Sequence, residues 1–146
     1  MSDITLRKEA ADYKRLGLKP DQIEMWEDGR RDQAVKGHWE WWYFDALLDD
    51  GSQLVLQFFP KEPSKKSVED SPSYRMTLTL PDGRVLKKNV EYDAKDCYFG
   101  KDKADLRFGQ SLFTGDLQTY RIKADVNDSK EQIGADITLA SQSKPY

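Results

Sequence analysis

The pattern of hydrophobic residues changes along the chain from a helical stripe to the alternation that is typical of strands. Near the start, apolar residues recur every three to four positions, at Leu6, Ala10, Tyr13 and Leu16. This spacing predicts a short surface helix that Asp3 caps and Gly17 ends. From His38 onwards the pattern favours β-strands. We therefore predict a helix and lead-in over residues 1–37 and a β domain over residues 38–146.

Short apolar segments separated by turn residues make up the β domain. Asp49-Asp50-Gly51 and Pro81-Asp82-Gly83 each stand between two such segments, which is typical of β-hairpins. The spacing favours an all-β fold of about eight strands, either a sandwich or an up-and-down antiparallel barrel. In the barrel, the interior would hold side chains or one small ligand. The predicted strands span residues 39–48, 53–59, 74–80, 84–92, 105–108, 111–114, 117–126 and 132–140.

The segment His-Trp-Glu-Trp-Trp-Tyr-Phe-Asp-Ala at residues 38–46 places large rings on both faces of one strand. If the following hairpin loop has three residues, one face is wholly apolar and belongs to the core, with Trp42 opposite Phe58. The other face mixes rings, an amide and a carboxylate, as ligand cavities do; its pairs are Trp41 with Phe59, Tyr43 with Gln57, and Asp45 with Val55. A two-residue loop would set Asp45 against Leu56 instead. We favour the three-residue loop because it separates apolar from mixed residues.

Composition narrows the class of protein. The chain has 146 residues, of which 34% are charged and 38% hydrophobic, with a net charge of -3. Such a chain shows no basic footprint for nucleic acid, and it has no apolar run of about 18 residues that could span a membrane. Charges stand where a signal peptide would be apolar, so we expect a cytoplasmic protein. Residues 61–71 are predicted to form a solvated charged loop.

The sequence offers few residues for metals or cofactors. Its only cysteine is Cys97, and its only histidine is His38. One cysteine cannot form an internal disulfide, and one histidine cannot build a usual zinc site. No glycine-rich phosphate loop is present. We therefore expect neither a metal nor a cofactor.

Several motifs together resemble one protein family. The central motif is Glu40-Trp41-Trp42-Tyr43-Phe44-Asp45-Ala46, followed by a hairpin and an aromatic-rich return strand. Supporting segments are Met-Trp-Glu-Asp-Gly-Arg at 25–30, Asp-Leu-Arg-Phe-Gly at 105–109, Phe-Thr-Gly-Asp-Leu at 113–117, Tyr-Arg-Ile at 120–122 and Gly-Ala-Asp-Ile-Thr-Leu at 134–139. With these, the chain resembles the carotenoid 1,2-hydratases (hydroxyneurosporene synthases), a superfamily that includes AttH-type proteins and fungal Diels–Alderases. The resemblance covers residues 25–139.

The resemblance implies two consecutive lipocalin-like barrel domains with a pocket near their contact, of which this chain is expected to hold the first. It also implies hydration of an isolated alkene through a tertiary carbocation. An alkene is a poor base, so the acid must be a carboxyl group kept protonated by apolar surroundings. We predict Asp45 as this acid and Glu40 as a second catalytic candidate. Electron-rich rings stabilise a cation by about 0.5–2 kcal/mol each, so the predicted substrate-binding residues are Trp41, Trp42, Tyr43, Gln57 and Phe59.

Each of these residues also has a purely structural interpretation. Asp45 would then accept hydrogen bonds from the backbone or from a tyrosine hydroxyl. The rings would be ordinary core. Glu40 would pair with one of the basic side chains nearby, which are His38, Lys36 and Arg30.

Three kinds of function remain open. The first is half of a small-molecule enzyme that hydrates, isomerises or cyclises an apolar isoprenoid or polyketide-like substrate. The second is a lipocalin-like binder that carries such a molecule unchanged, which needs the same cavity. The third is a non-catalytic domain whose aromatic face docks a sister barrel. The expected partners are thus a hydrophobic small molecule and a second lipocalin-like domain or subunit.

Overall fold

The fold was analysed in a computed structural model that describes residues 9–32, 35–62, 69–124 and 133–143. These residues form one α-helix, α1 (Ala10–Leu16), two single 3₁₀ turns (Met25–Asp28 and Ala94–Asp96) and nine strands. The strands are β1 (Trp42–Leu47), β2 (Gln53–Phe59), β3 (Ser73–Thr79), β4 (Val85–Glu91), β5 (Cys97–Phe99), β6 (Asp105–Phe108), β7 (Ser111–Gly115), β8 (Thr119–Ala124) and β9 (Ala135–Ala140).

The strands form two antiparallel sheets in which chain neighbours pair in order. The first sheet has the order β1-β2-β3-β4, and the second has the order β5-β6-β7-β8-β9. The prediction of an all-β fold with a short helix near the start is therefore confirmed. Within the described residues no closed barrel is found, so the barrel itself stays a prediction.

The register of the β1–β2 hairpin is the one that the three-residue loop predicts. Trp42 lies opposite Phe58, and Tyr43 lies opposite Gln57. Gly51 closes the loop with a φ of 85° and donates its N–H to the Leu48 carbonyl at 2.9 Å. Such a positive φ suits glycine because it has no Cβ. The β3–β4 hairpin repeats this design, with Gly83 at a φ of 86°.

Both sheets contribute to one hydrophobic core. Its aromatic centre is Phe58 of the first sheet, whose ring lies 5.6 Å from the ring of Phe108 and 5.6 Å from that of Phe113, both in the second sheet. Ring pairs at this separation contribute beyond the area that they bury. The last two strands also alternate between core and solvent, since Ile122 and Ala135 are buried whereas Arg121 and Asp136 are exposed.

Some predictions differ from the structure at the ends of elements. The first predicted strand, 39–48, is shorter in the structure because the ladder begins at Trp42. The strand β5 was not predicted, since three residues are too few to show a period. Gly17 ends α1 in the left-handed region, as predicted, whereas Glu9 stands at its N-cap. Asp3 and Leu6, like most of the loop at 61–71, lie outside the described residues.

The prediction of a fully solvated loop over residues 61–71 is wrong at its start. Lys61 is only 1% exposed, and Glu62 is also buried. The Glu62 amide donates to the Ser71 carbonyl at 3.2 Å, which joins the two ends of the segment. No described helix is long and apolar enough to cross a membrane.

Candidate functional site

Neighbouring rings of β1 and the residues before it lie in opposite environments. Trp42 is 9% exposed and packs in the core, whereas Trp41 is 45% and Tyr43 is 48% exposed. The cause is the pleat, which turns successive side chains to opposite faces of a strand. The first sheet is covered by the second on one face only. The prediction that the face of Trp41 and Tyr43 lines an internal cavity is therefore wrong for the described chain.

The exposed rings of Trp39, Trp41 and Tyr43, together with Phe59 beneath them, form a patch that we call the outer aromatic cluster. The ring of Trp41 lies 5.8 Å from that of Trp39, 5.6 Å from that of Tyr43 and 5.8 Å from that of Phe59. Phe59 is buried beneath the others at 2% exposure. Its ring also receives the Arg75 guanidinium at 5.0 Å. The predicted substrate-binding residues Trp41, Tyr43 and Phe59 are thus brought together, on the outside of the sheet.

Asp45 continues the same outer face, and its side chain is exposed. The prediction of an enclosed apolar hollow around Asp45 is therefore wrong for the described chain. Its assignment as a catalytic acid stays a prediction. Gln57 is half-buried beside Arg75 and Lys87 in a shallow surface depression of the same sheet.

A separate groove, which we call the edge groove, runs beside β1 where this edge strand of the first sheet approaches β7, β8 and β9. Its volume is ≈ 330 Å³. Apolar and aromatic side chains form most of its wall, and Asp28 and Tyr120 add polar atoms. The apolar and aromatic residues are Trp41, Trp42, Tyr43, Phe44, Phe113 and Leu139. A mostly apolar concavity with a few polar groups is the usual form of a small-molecule site.

The polar groups of the edge groove are joined to each other. The Tyr120 hydroxyl donates a hydrogen bond to Oδ2 of Asp28, across 92 positions of sequence. Burial, followed by this hydrogen bond, raises the pKa of the Tyr120 hydroxyl above its ordinary value. The ring of Tyr120 is held 5.8 Å from that of Phe113. Tyr120 therefore stays protonated at neutral pH, with its oxygen at the groove.

Backbone contacts place Asp28 at this position. The indole Nε1–H of Trp42 donates to the Asp28 carbonyl at 2.7 Å. The next residue, Gly29, passes so close to Lys101 that an added Cβ would lie 2.1 Å from its carbonyl oxygen. The Arg30 amide donates to the Gly100 carbonyl at 2.7 Å. The 3₁₀ turn that carries Asp28 is thereby tied to both sheets.

Charged side chains anchor the residues that follow this turn. Arg30 donates two hydrogen bonds to Asp70, at 2.9 and 2.6 Å, and lies 3.3 Å from Asp32. Buried Lys61 lies 3.7 Å from the same Asp32 carboxylate. Buried charges require such partners. Arg30 is one of the three basic residues offered as a partner for Glu40 in its structural interpretation, and it pairs with Asp32 and Asp70 instead.

Glu40 receives two hydrogen bonds from the backbone N–H of Arg31, at 2.9 and 3.1 Å. Burial raises the pKa of its carboxyl group, and the hydrogen bonds from this backbone act in the opposite direction. Glu40 does not line the edge groove. The structure supports a positional role for Glu40, and its catalytic role stays a prediction.

Burial also raises the pKa of the Cys97 thiol, to about 11. A thiol with so high a pKa is a poor nucleophile at neutral pH. Among the described residues, no three His, Cys, Asp or Glu side chains come together in a way that could hold a metal ion.

No protein-family model, curated protein or solved structure matches this chain. Sequence reasoning missed Asp28 and Tyr120 as site residues, although both lie in segments that carry the resemblance. Asp28 and Tyr120 are far apart in the sequence, so no local pattern indicated that they would be in contact. The groove wall takes rings from both faces of residues 41–44, whereas the alternation had assigned Trp42 and Phe44 to the core.

Proposed function

We propose that this chain is half of a small-molecule enzyme that binds an apolar isoprenoid or polyketide-like substrate in the edge groove. The reaction would be hydration, isomerisation or cyclisation. The observation that carries this proposal is the groove of ≈ 330 Å³ beside β1, with its aromatic wall and its two joined polar side chains. Aromatic faces suit a substrate that develops positive charge, because the ring quadrupole attracts cations.

A second lipocalin-like domain or subunit forms part of this proposal. Asp45 and the upper rings of the outer aromatic cluster, which are Trp39, Trp41 and Tyr43, are exposed on the described chain. A cover over this face would exclude water and supply the apolar surroundings that a catalytic Asp45 requires. The resemblance to two-barrel hydratases motivates this arrangement. Closure of the two sheets into a lipocalin-like barrel belongs to the same proposal.

A carrier is the second candidate function. A lipocalin-like binder needs the edge groove but no catalytic group. The exposed position of Asp45 favours this candidate for the chain taken alone. Release of an unaltered ligand would distinguish the carrier from the enzyme.

Binding followed by product analysis tests both candidates. The purified chain is incubated with farnesol, geranylgeraniol and squalene, and bound material is extracted and identified by mass spectrometry. Recovery of an altered product supports the enzyme, and recovery of unaltered ligand alone supports the carrier. If none of the three molecules binds, the proposed function is contradicted.

The predicted acid has its own test in the complete protein. Asp45→Asn removes the proton donor and keeps the size of the side chain. We expect turnover to fall by at least about a hundredfold, the usual range for a lost general acid. Asp49→Asn, in the neighbouring hairpin loop, is the matched control. Unchanged turnover in Asp45→Asn would remove this residue from the acid role.

A further inference from the structure

The edge groove has a polar end that faces an otherwise apolar wall. Asp28 is a carboxylate, and its Oδ2 already accepts the hydroxyl of Tyr120. The Oδ1 atom of Asp28 is an acceptor, and the Tyr120 oxygen is an acceptor too, beside the backbone N–H of Leu117 that acts on it. The groups that this pair offers to a ligand are therefore acceptors, and one of them carries a negative charge.

The charged groups that act on the Tyr120 hydroxyl are carboxylates. After burial and the hydrogen bond, the groups that raise the pKa of its hydroxyl are the carboxylates of Asp28 and Asp116. Asp28 repels a negative charge brought to the same place, whereas Lys103 offsets part of the charge of Asp116. The cationic side chains nearest along the chain to Asp28 point elsewhere: Arg30 binds Asp70, and Arg31 stacks on Trp26 at 4.0 Å. A ligand anion would therefore meet repulsion at the polar end of the groove.

We propose that the edge groove selects neutral apolar molecules that carry a hydroxyl group, and that the Asp28–Tyr120 pair both accepts that hydroxyl and rejects carboxylates. The inference rests on the proposed binding function and narrows its ligand class. A hydroxyl group donates to the acceptors at the polar end while the apolar chain lies along the rings. A carboxylate has no proton to donate there, and its charge is repelled.

Close contacts hold Tyr120 and Asp28 in place. Tyr120 lies over Gly115 so closely that a Cβ at Gly115 would be 2.1 Å from the ring. The Asp28 backbone is fixed by the indole of Trp42, which leaves its side chain free of that task. Asp28→Asn and Tyr120→Phe therefore alter the polar atoms while the main contacts of the backbone and ring remain.

Decanol and decanoate form a matched pair of probes for the full chain at neutral pH. They share an apolar tail and differ in the charge of the head group. Binding is followed by tryptophan fluorescence, since Trp41 and Trp42 line the groove, and by calorimetry. For the unaltered chain we expect decanol to bind about tenfold or more tightly than decanoate, because repulsion between close like charges is large at the edge of a protein.

Substitutions at Asp28 and Tyr120 test whether these two residues cause the preference for decanol. Asp28→Asn is expected to bring the two affinities within about threefold, since it removes the charge. Tyr120→Phe is expected to weaken the binding of decanol about threefold to tenfold, the net value of one hydrogen bond. The binding of decanoate should stay weak. Asp93→Asn, an exposed carboxylate that pairs with Lys95 on another part of the surface, is the control and should keep the full preference.

The outcomes separate this inference from the function on which it rests. Equal binding of both probes to the unaltered chain, or a preference that survives in Asp28→Asn or disappears in Asp93→Asn, overturns the selectivity and leaves the binding function intact. If neither probe binds, the edge groove is not a site for apolar ligands and both proposals are overturned.

Discussion

The inner and outer faces of one strand make the most instructive comparison in this protein. Trp41 and Trp42 are neighbours of the same residue type, yet Trp41 is half exposed and Trp42 is in the core. Trp42 has a hydrogen-bond partner in the Asp28 carbonyl, whereas Trp41 contacts rings on the surface. The same side chain thus stabilises the fold on one face and is left available for binding on the other. The edge groove lies where both faces can be reached.

The largest effect should come from a matched pair of truncations. Trp42→Ala removes a buried ring and leaves a cavity, so the free energy of unfolding should fall by about 3–5 kcal/mol. Trp41→Ala removes a half-exposed ring and should lower the same quantity by less than about 1 kcal/mol. Urea unfolding measures both values. Similar losses in the two variants would show that the faces do not differ as the structure has them.

Substitution of two glycines tests how tightly Tyr120 packs at the polar end of the edge groove. Gly115→Ala would push its Cβ into the ring of Tyr120, at 2.1 Å, so we expect a loss of about 1–3 kcal/mol from overpacking. Gly100→Ala is the control, because its Cβ would lie 3.1 Å from the nearest atom. Its loss should be smaller. An equal loss in both variants would contradict the close packing of Tyr120 on Gly115.

Glu40, just before β1, gives a test of burial next to the strand through the pH dependence of stability. Burial raises the pKa of its carboxyl group, so the protonated form is favoured in the folded state. Its stabilising contribution is then present below the ordinary carboxyl pKa and is lost as the pH rises through the raised one. Compared with Glu40→Gln, the unaltered chain should lose unfolding free energy as the pH rises from about 4 to 7.

Urea unfolding over this pH range measures the effect. Asp45→Asn on the exposed face should change the free energy of unfolding by no more than about 0.5 kcal/mol at neutral pH. If the unaltered chain gains stability relative to Glu40→Gln as the pH rises, the direction assigned to the Glu40 carboxyl is wrong.

The smallest effect concerns reactivity. The pKa of Cys97 is raised from 9.0 to about 11 by burial first and by neighbouring carboxylates second. Only the thiolate reacts, so the folded chain should react with a disulfide reagent about a hundredfold more slowly than the unfolded chain at mildly alkaline pH. Equal rates before and after unfolding in urea would show that the Cys97 thiol is not shielded.

Local sequence patterns predicted those parts of the fold that depend on the alternation of side chains along a strand or on the residues of a turn. The hairpin at residues 49–51 has a loop glycine and an apolar face, and these were sufficient to give the register of β1 and β2. The alternation of side chains along a strand does not show which of its two faces is covered by other strands. Asp45 was therefore predicted to lie in a cavity, although its face is exposed. Whether a face is covered depends on how distant strands pack.

The candidate site was predictable only in part for the same reason. The rings of residues 41–44 form one wall of the edge groove, whereas their pattern had indicated a cavity on the face of Trp41 and Tyr43 alone. The polar end depends on a hydrogen bond between Asp28 and Tyr120, which are 92 positions apart. No local period records such a contact. Lys61 is a similar case, since its burial depends on Asp32 and Val35 from the lead-in.

A crystal structure of the full chain with bound decanol tests the central claim most directly. We expect the alkyl chain in the edge groove and the hydroxyl oxygen about 2.5–3.0 Å from Oδ1 of Asp28 or from the Tyr120 oxygen. Decanol ordered on Trp39 and Trp41 with the groove empty would contradict the claim. So would decanol in the groove with its hydroxyl group turned away from Asp28 and Tyr120.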